Sequence, residues 1–398
     1  MNIIGYLSGA PRVSTLPEAE ATGPKSHILG IINAFENLGW QVKPFIVGNQ
    51  MPKKVYGFKS RSILTKNIFT RFIADIFRIV FGFINENKAI NEVGSVQFVY
   101  ERFGIFQHLG RVFQKNKIPW VLETNGPFFS EASEERKSLV LKNIARKMEL
   151  MAYKNCDLLV CVTDELKKII IEEFDITEHK IVVIPNGVDI HHFNPENVNP
   201  IRFFDLPTIG FVGAIIRRQG IDLLIKALSE LNQKGIKYGL VIIGEGSEKN
   251  KLIDEVNTLG LQNQVKFTGF MPREVIPAYI SGFDIGYSGQ IPSGKGYLSR
   301  MYHSPLKIYE YLAMGKPVLA TAFDDAKKIL ENNEVGYLLE PGSLKSLIQT
   351  LEWAFNQREK WKTYGLNARI LIEENHSWES RVVKIINLIE EKISLIQE

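Results

Sequence analysis

The sequence lacks most of the features that would place it in a specialised class of protein. It has two cysteines among 398 residues, Cys156 and Cys161, and their spacing matches no metal or redox motif. We therefore expect both to be buried strand thiols in a reducing cytosol. No run of 18 uncharged apolar residues is present, so no membrane-spanning helix is predicted. The seven histidines form no metal-binding pattern, and we expect neither a metal site nor a cofactor.

The net charge is also small. The chain carries 48 lysines and arginines against 44 aspartates and glutamates, and this net charge of +4 argues against nucleic acid as a partner. Residues 1–6 enter a strand-like run without the charged and hydrophobic regions of a signal peptide. With 45% hydrophobic and 23% charged residues, the composition favours an ordinary globular protein of the cytoplasm, long enough for two domains.

Positive charge is concentrated in residues 51–90, where eight basic and two acidic residues give a net charge of +6. From Phe69 to Val80 apolar residues recur at helical spacing, while Arg71, Asp75 and Arg78 lie on the opposite face. A basic amphipathic helix of this kind can lie on an anionic membrane surface, here the inner face of the cell membrane. The alternative is a helix whose apolar face covers the sheet of its own domain.

Short β-rich runs alternate with helical patterns along the whole chain. This βαβ pattern predicts an α/β fold with parallel sheets covered on both faces. Helices are expected, for example, at 27–38, 133–152, 221–234 and 344–355. The twelve predicted strands are 2–7, 41–47, 97–101, 119–123, 158–162, 181–184, 208–214, 239–244, 265–269, 284–288, 317–321 and 336–340.

A polar stretch rich in proline and asparagine, residues 192–200, interrupts this alternation and is predicted to be a linker. It divides the chain into doubly wound domains at 1–195 and 196–376, followed by a C-terminal helix at 377–398 that packs back towards the first domain. Because open α/β sheets bind ligands beyond the carboxyl ends of their strands, we expect binding residues in the loops at those ends.

One predicted helix, which begins near Ser304, has the residues expected at a helix N-terminus. Ser304 is a suitable N-cap, and Pro305 suits the first helical position. Free backbone N–H groups at Leu306 and Lys307, reinforced by the Lys307 ammonium, would form an anion site. One turn further, Glu310 could accept hydrogen bonds from ribose hydroxyls. The pattern therefore suggests a nucleotide site, although a capped amphipathic helix without a ligand also fits.

Five blocks of sequence, spread over nearly the whole chain, together resemble the family-4 glycosyltransferases of the GT-B fold. The most specific are the block Pro-Asn-Gly-Val-Asp at 185–189 and the helix of Glu310. The others lie at 100–102, at 121–127, and at 210–213 with 220–224. The resemblance implies two Rossmann-like domains facing across a cleft. It also implies retaining, metal-independent transfer of a sugar from a nucleotide diphosphate sugar, UDP-linked, to a hydroxyl of a lipid-linked or polysaccharide acceptor.

Carried over by position, the resemblance places the donor in the second domain. Glu310 would hold the ribose, Leu306 and Lys307 the distal phosphate, and Met271 and Pro272 the base. The remaining predicted donor residues are Ser304 and Gly213. Residues matching the loop that meets the donor phosphate and the acceptor, together with two carboxylates assigned to the acceptor side, are Gly23, Lys25, His27, Glu101 and Glu123.

Four positions depart from the family pattern. Tyr302 occupies the place of the first of two paired glutamates, and Ala214 replaces an arginine after Gly213. Gln219 replaces a phosphate-binding lysine, and Asn125 stands where many relatives have histidine. Nearby cations could neutralise the leaving diphosphate instead. The predicted catalytic residues are therefore Lys307, Arg217, Arg218 and Asn125.

Other functions remain open from the sequence. A nucleotide-sugar epimerase or hydrolase could use the same scaffold, and a catalytically inactive nucleotide-sugar-binding protein would explain Tyr302 and Gln219. Glu101 and Glu123 could act as a glycosidase-like acid and base pair. Alternatively, these carboxylates could pair with Arg102 or cap a neighbouring helix.

Overall fold

A computed structural model of the chain describes residues 2–20, 22–52, 67–292 and 299–397, without the side chains of 135 and 392–397. The chain divides into two compact units. Unit 1 comprises 1–185, 294–303 and 378–398, and unit 2 comprises 186–293 and 304–377. The predicted domain limits at 195 and 376 stay a prediction.

Each unit is built on a six-stranded parallel sheet, as expected for an α/β fold. The sheet of unit 1 has the order β2-β1-β3-β4-β5-β6, and that of unit 2 the order β12-β11-β10-β7-β8-β9. Every predicted strand is present, with bounds that differ by at most two residues. The strands are β1 (Ile3–Ser8), β2 (Gln41–Ile46), β3 (Phe98–Arg102), β4 (Trp120–Thr124), β5 (Leu158–Cys161), β6 (Ile181–Val183), β7 (Thr208–Val212), β8 (Gly239–Ile243), β9 (Val265–Gly269), β10 (Ile285–Ser288), β11 (Val318–Thr321) and β12 (Gly336–Leu339).

Helices cover the sheets and bury the apolar residues of the strands, which are nearly all inaccessible to water. This burial on both faces explains why the strands are almost continuously apolar rather than alternating. The helices are α1 (Gly23–Asn37), α2 (Ile68–Val93), α3 (Arg111–Lys115), α4 (Phe128–Ser130), α5 (Lys142–Asn155), α6 (Asp164–Phe174), α7 (Ile221–Gln233), α8 (Lys249–Thr258), α9 (Ile276–Ser281), α10 (Leu306–Ala313), α11 (Asp324–Leu330), α12 (Leu344–Asn356), α13 (Trp361–Asn375) and α14 (Trp378–Gln397).

Helix α5 begins at Lys142 and is preceded by a π-helical turn, Glu131–Glu135, so the predicted continuous helix over 133–152 is wrong at 136–141. The carboxylate of Asp75 accepts hydrogen bonds from the backbone N–H groups of Val140 (2.7 Å) and Leu141 (3.0 Å). These long-range bonds hold the segment before α5 in an irregular path. A helical periodicity in the sequence cannot reveal such a tertiary contact.

Both cysteines are buried and unpaired, but only one lies in a strand. Cys161 ends β5, whereas Cys156 is the C-cap residue of α5, so the expected strand position of Cys156 is wrong. The side chain of Asp157 accepts a hydrogen bond from the backbone N–H of Trp120 at the start of β4. The turn between α5 and β5 is therefore fixed immediately after Cys156.

Helix α2 presents its apolar side to solvent. Asp75 is fully buried, and Gly82, Asn85 and Glu86 are also buried. These residues lie on the inner face of α2, which packs against the rest of unit 1. The expectation that the apolar face covers the sheet of its own domain is therefore wrong. We call the apolar side the outer face of α2. Its residues, each 37–68% exposed, are Ile68, Phe69, Phe72, Ile73, Ile76, Phe77, Val80, Phe81, Phe83 and Ile84.

Among the helices of the described ranges, none combines the length and the apolar character needed to cross a membrane. The basic residues between positions 53 and 66 lie outside the described part of the chain.

Replacement of Asp75 by alanine is expected to destabilise unit 1. The change leaves the N–H groups of Val140 and Leu141 without their acceptor and Arg78 without its ion-pair partner. We expect the free energy of unfolding to fall by about 2–4 kcal/mol, because each lost acceptor costs about 1–3 kcal/mol. Urea denaturation would measure the change. The matched control is Glu92→Ala, an exposed position of the same helix, and an equal loss in both variants would contradict the assignment.

Candidate functional site

The segment before α10 is fixed by a buried side-chain cluster in unit 2. The Ser304 hydroxyl donates to the carboxylate of Asp325 at 2.6 Å and accepts from the backbone N–H of Asn186. The expectation that Ser304 caps the helix is wrong, because its hydroxyl has these partners and Pro305 is the N-cap residue. Ser304 therefore positions the start of α10 without contacting the helix N-terminus.

The block Pro-Asn-Gly-Val-Asp supports the same segment. The side-chain amide of Asn186 donates to the backbone carbonyl of Ser304 at 2.7 Å, and the hydroxyl of Tyr309 donates to Asp325. Burial raises the pKa of Asp325 to about 6, although both hydrogen bonds favour its ionised form. The motif that is most specific in the sequence thus holds the backbone from which Lys307 and Glu310 project.

The buried Lys307 amine lies between a polar side chain and an aromatic ring of unit 2. It donates to the side-chain oxygen of Gln219 at 2.8 Å and lies 4.0 Å from the centre of the Phe211 ring. A β-carbon at Gly213 would come within 3.3 Å of this nitrogen, and the φ of Gly213 is +142°. A glycine at position 213 therefore leaves room for the amine.

Opposing effects of burial and neighbouring charges determine the pKa of Lys307. Burial, together with the nearby positive charge of Arg218, lowers the pKa of Lys307 to about 7, and the carboxylate of Glu310 opposes this shift. An anion at this position would favour the ammonium form. Lys307 and Arg218, predicted as catalytic, and Glu310, predicted to bind the donor, are thus electrostatically coupled.

The two candidate arginines differ in their surroundings. They lie in a short 3₁₀ turn, Arg217–Gln219, that leads to the N-cap of α7 at Gly220. The carbonyl of Arg218 accepts from the backbone N–H of Ile291, and Arg218 is half-buried, whereas Arg217 is exposed. Arg218 is therefore the arginine whose charge acts on Lys307.

Glu310 has a cationic neighbour that sequence analysis missed. Its carboxylate lies 4.0 Å from the guanidinium of Arg273, and burial raises the pKa of Glu310 although Arg273 and Lys307 oppose the rise. Arg273 directly follows Met271 and Pro272, in the loop after β9. Its position directly after these two predicted residues could have indicated a role for Arg273 at the same site. The structure thus brings the predicted base loop and the predicted ribose residue together.

In unit 1, His27 and Asn125 contact the same carboxylate. The Nε2 atom of His27 lies 2.8 Å from Glu123, and the side-chain amide of Asn125 donates to Glu123 at 2.7 Å. Burial lowers the pKa of His27 to about 4 even though Glu123 favours the charged form. His27 is therefore neutral near pH 7, and its ring packs edge-on against Trp378.

Glu123 also forms a buried ion pair with Arg381 of α14. The Arg381 guanidinium donates further to the carbonyls of Ile184 and Pro185, and Tyr100 donates to Glu123. Burial alone would raise the pKa of Glu123, but the contact with the neutral His27 ring and the positive charge of Arg381 outweigh burial and lower the pKa. Sequence analysis missed Arg381, and no local signal connects two residues so distant along the chain.

Glu101 does not join this cluster. Arg102 pairs with Glu123 in the register of β3 and β4, so Glu101 lies on the opposite face of the sheet. Its carboxylate accepts from the backbone N–H groups of Leu109 and Gly110 before α3, and burial raises its pKa to about 8. The glycosidase-like pairing of Glu101 with Glu123 is therefore excluded by geometry, and Glu101 caps a neighbouring segment.

The start of α1 is held by its own loop. Thr22 is the N-cap residue and accepts from the backbone N–H of Lys25, while Gly23 is the first residue of the helix. The Lys25 ammonium donates to the carbonyls of Leu16 (2.7 Å) and Ala19 (2.9 Å). Lys25 thus stabilises the loop that precedes α1. The roles predicted for Gly23 and Lys25 in phosphate or acceptor binding stay predictions.

The two clusters offer different chemistry. In unit 2, Arg273 and Lys307 act on one carboxylate, Glu310, and Arg218 acts on Lys307. This combination suits a ligand that carries both anionic groups and hydroxyls. In unit 1, Glu123 has cationic and neutral partners on several sides, which suits a rigid support. No group of three or more metal-ligating side chains occurs within the described ranges.

Family models match most of the chain. Residues 21–192 match the model described as "Glycosyltransferase Family 4", and residues 196–371 match "Glycosyl transferases group 1". An uncharacterized glycosyltransferase of Methanocaldococcus jannaschii is 22% identical over 354 residues, which cover 86% of this chain and 85% of that protein.

Two solved structures share the fold. HepE of Anabaena in complex with UDP-glucose aligns with a TM-score of 0.62 and 17% identity, covering 98% of this chain and 99% of that one. A lipopolysaccharide outer core galactosyltransferase, WaaB, aligns with a TM-score of 0.61 and 15% identity, covering 96% of this chain and 99% of that one.

Replacement of Arg381 by methionine is expected to destabilise the protein by about 3–5 kcal/mol, because Glu123 would remain as an uncompensated buried charge. In the wild type, the lowered pKa of Glu123 contributes stability above the pKa of an unfolded glutamate. In the variant, that carboxylate takes up a proton more readily. The difference in unfolding free energy should therefore be largest near about pH 8 and shrink towards about pH 5.

Urea unfolding at several pH values would test this expectation. The control is Arg358→Met, an exposed arginine, for which we expect a change below about 0.5 kcal/mol at every pH. A loss in Arg381→Met that did not depend on pH would contradict the charge argument.

Proposed function

We infer the reaction from the premise that the chain belongs to the family-4 glycosyltransferases of the GT-B fold and is a glycosyltransferase. We propose that it transfers a sugar from a UDP-linked donor to a hydroxyl of a lipid-linked or polysaccharide acceptor, with retention of configuration and without a metal. The observation that carries the donor assignment is the cluster of Lys307, Arg218, Glu310 and Arg273 in unit 2.

The cluster supports binding of a nucleotide diphosphate by complementary charge. In this proposal the distal phosphate lies at the N-terminus of α10, next to the Lys307 ammonium and Arg218. The ribose hydroxyls donate to Glu310, and Met271 and Pro272 contact the base. The complex of HepE with UDP-glucose supports a UDP-linked donor, because that protein shares the fold over nearly its whole length.

Transfer breaks the bond between the sugar and the distal phosphate and forms a bond from the sugar to the acceptor oxygen. Negative charge develops on the leaving diphosphate, where Lys307 and Arg218 would stabilise it in place of a metal ion. Attack from the same face lets the leaving phosphate oxygen take the acceptor proton. This route needs no side-chain base, and the lowered pKa of His27, about 4, makes that buried imidazole a weak base.

The acceptor side is assigned to unit 1. Within the Glu123 cluster Asn125 is partly buried, whereas His27 and Glu123 are buried. The fold is shared with a galactosyltransferase of the lipopolysaccharide outer core, which supports a glycan carried by a lipid as acceptor. We place the reaction in the cytoplasm, at the inner face of a membrane.

The donor screen that tests this proposal measures release of nucleotide diphosphate from several nucleotide sugars, with and without a lipid extract of the cell envelope. Release that requires the extract, and that persists in EDTA, supports a metal-independent transferase with a lipid-linked acceptor. Release without any acceptor would instead support an epimerase or hydrolase, and binding without release an inactive binding protein. The anomeric configuration of the product tests retention.

Replacement of Glu310 by alanine is expected to weaken UDP-glucose binding by about 1–3 kcal/mol, because ribose hydroxyls would lose their acceptor. Lys307→Ala should slow turnover more than it weakens binding of uridine alone, because charge develops at the phosphate in the transition state. Calorimetry and turnover would be compared with Glu331→Ala, an exposed carboxylate at the end of α11. Unchanged binding and turnover in both variants would show that the donor site is misplaced.

Arg218→Ala should lower kcat by about tenfold or more, whereas Arg217→Ala should change it less than about threefold. The two arginines are neighbours, but only Arg218 acts electrostatically on Lys307. Each variant is therefore the matched control of the other. Full activity of Arg218→Ala would end this assignment, and Gln219→Lys would then show whether a lysine at that position restores the family arrangement.

A further inference from the structure

We propose that the outer face of α2 is a docking surface for an anionic phospholipid bilayer, on which the helix lies parallel to the membrane plane. This surface is separate from the residues of the proposed donor site, so the inference goes beyond the proposed reaction and can be tested without any sugar.

The first observation is the amount of apolar surface that α2 leaves in contact with water. Ten large apolar side chains lie on the outer face, and Ile68, Phe69 and Phe77 are 68%, 67% and 58% exposed. Single exposed apolar residues are common on proteins, but a continuous patch along one helix is typical of an interaction surface.

The second observation is that contacts on the opposite, inner face of α2 prevent the helix from rotating about its axis to bury the outer face. Asp75 accepts from the backbone of Val140 and Leu141, and Glu86 lies 2.5 Å from the ring of His108. A β-carbon at Gly82 would lie 2.4 Å from the carbonyl oxygen of Phe106. Rotation of α2 to bury its apolar side would break these polar contacts and this close approach, so the outer face is held outward.

The third observation is the sign of the charge in the sequence that precedes α2 and within α2 itself. The 14 residues from 53 to 66, which end one residue before α2, contain five basic residues and no acidic residue. Between 68 and 84 the single acidic residue is Asp75, which is buried and paired with Arg78. An exposed apolar helix face, combined with an excess of basic residues in the adjoining sequence, complements the acyl chains and headgroups of an anionic bilayer.

This charge pattern decides between possible occupants. A second copy of the chain would bring two such basic segments together, and their repulsion opposes pairing of two α2 helices. A bilayer surface supplies negative charge over any area and accepts shallow insertion of aromatic and branched side chains. The bilayer is therefore the occupant that satisfies both the apolar and the charged features.

The test is co-flotation of the full-length protein with vesicles of phosphatidylcholine, or of phosphatidylcholine containing about one third phosphatidylglycerol, at low and high salt. We expect binding to the anionic vesicles at low salt and little binding to the neutral ones. Three outer-face replacements, Phe69→Ser, Phe77→Ser and Phe81→Ser together, should abolish flotation. The matched control is Leu366→Ser with Ile370→Ser on α13, where the side chains are 59% and 54% exposed.

A second variant separates charge from apolar contact. Replacing the five basic residues before α2 by glutamine should reduce the partition coefficient on anionic vesicles by about tenfold or more. These replacements are Lys53→Gln, Lys54→Gln, Lys59→Gln, Arg61→Gln and Lys66→Gln. Unchanged flotation would mean that the charges do not act, and would overturn the proposal as stated.

Two further results would overturn it. One is no flotation of the wild-type protein with anionic vesicles at low salt. The other is a dimer in vesicle-free solution, measured by light scattering, that the serine variant converts to a monomer while flotation is absent, since the outer face would then bind a second copy. Thermal unfolding of each variant shows that loss of flotation is not loss of folding.

Discussion

The buried ion pair between Glu123 and Arg381 is the interaction on which the organisation of unit 1 depends. Removing both charges from water is costly, and the pair is tolerable only because other polar groups complete the shell of each partner. His27 and Tyr100 contact the carboxylate, and backbone carbonyls that include Pro185 accept from the guanidinium. One polar cluster thus ties the first helix, two central strands and the last helix of the chain together.

In unit 2 the buried charged group is a single amine, that of Lys307. Lys307 lies where burial and a neighbouring cation oppose its charge, yet Gln219 gives it a neutral hydrogen-bond acceptor. A lysine at position 219 would add a second ammonium close to the first. The glutamine that seemed in the sequence to be a loss is therefore the partner that orients Lys307. Departures from a family pattern need to be interpreted with their neighbours in space.

Helix α2 shows the limit of periodicity as an argument. The spacing of apolar residues correctly defines two faces of one helix, but it contains no information on which face meets the protein. Here the contacts of Asp75, Gly82 and Glu86 decide the orientation. These are polar and steric contacts with residues of distant sequence segments, and together they outweigh the usual tendency of the apolar face to pack inward.

The sequence by itself determined the alternation of twelve strands with helices and the parallel α/β fold, because burial on both faces imposes apolar runs of strand length between helical repeats. It also predicted the helix on which Lys307 and Glu310 lie one turn apart. Tertiary structure alone decided the partners from distant segments, such as Arg381 for Glu123 and Arg273 for Glu310. It also placed Glu101 and Glu123 on opposite faces of their sheet, since register, and not spacing, fixes which side chains meet.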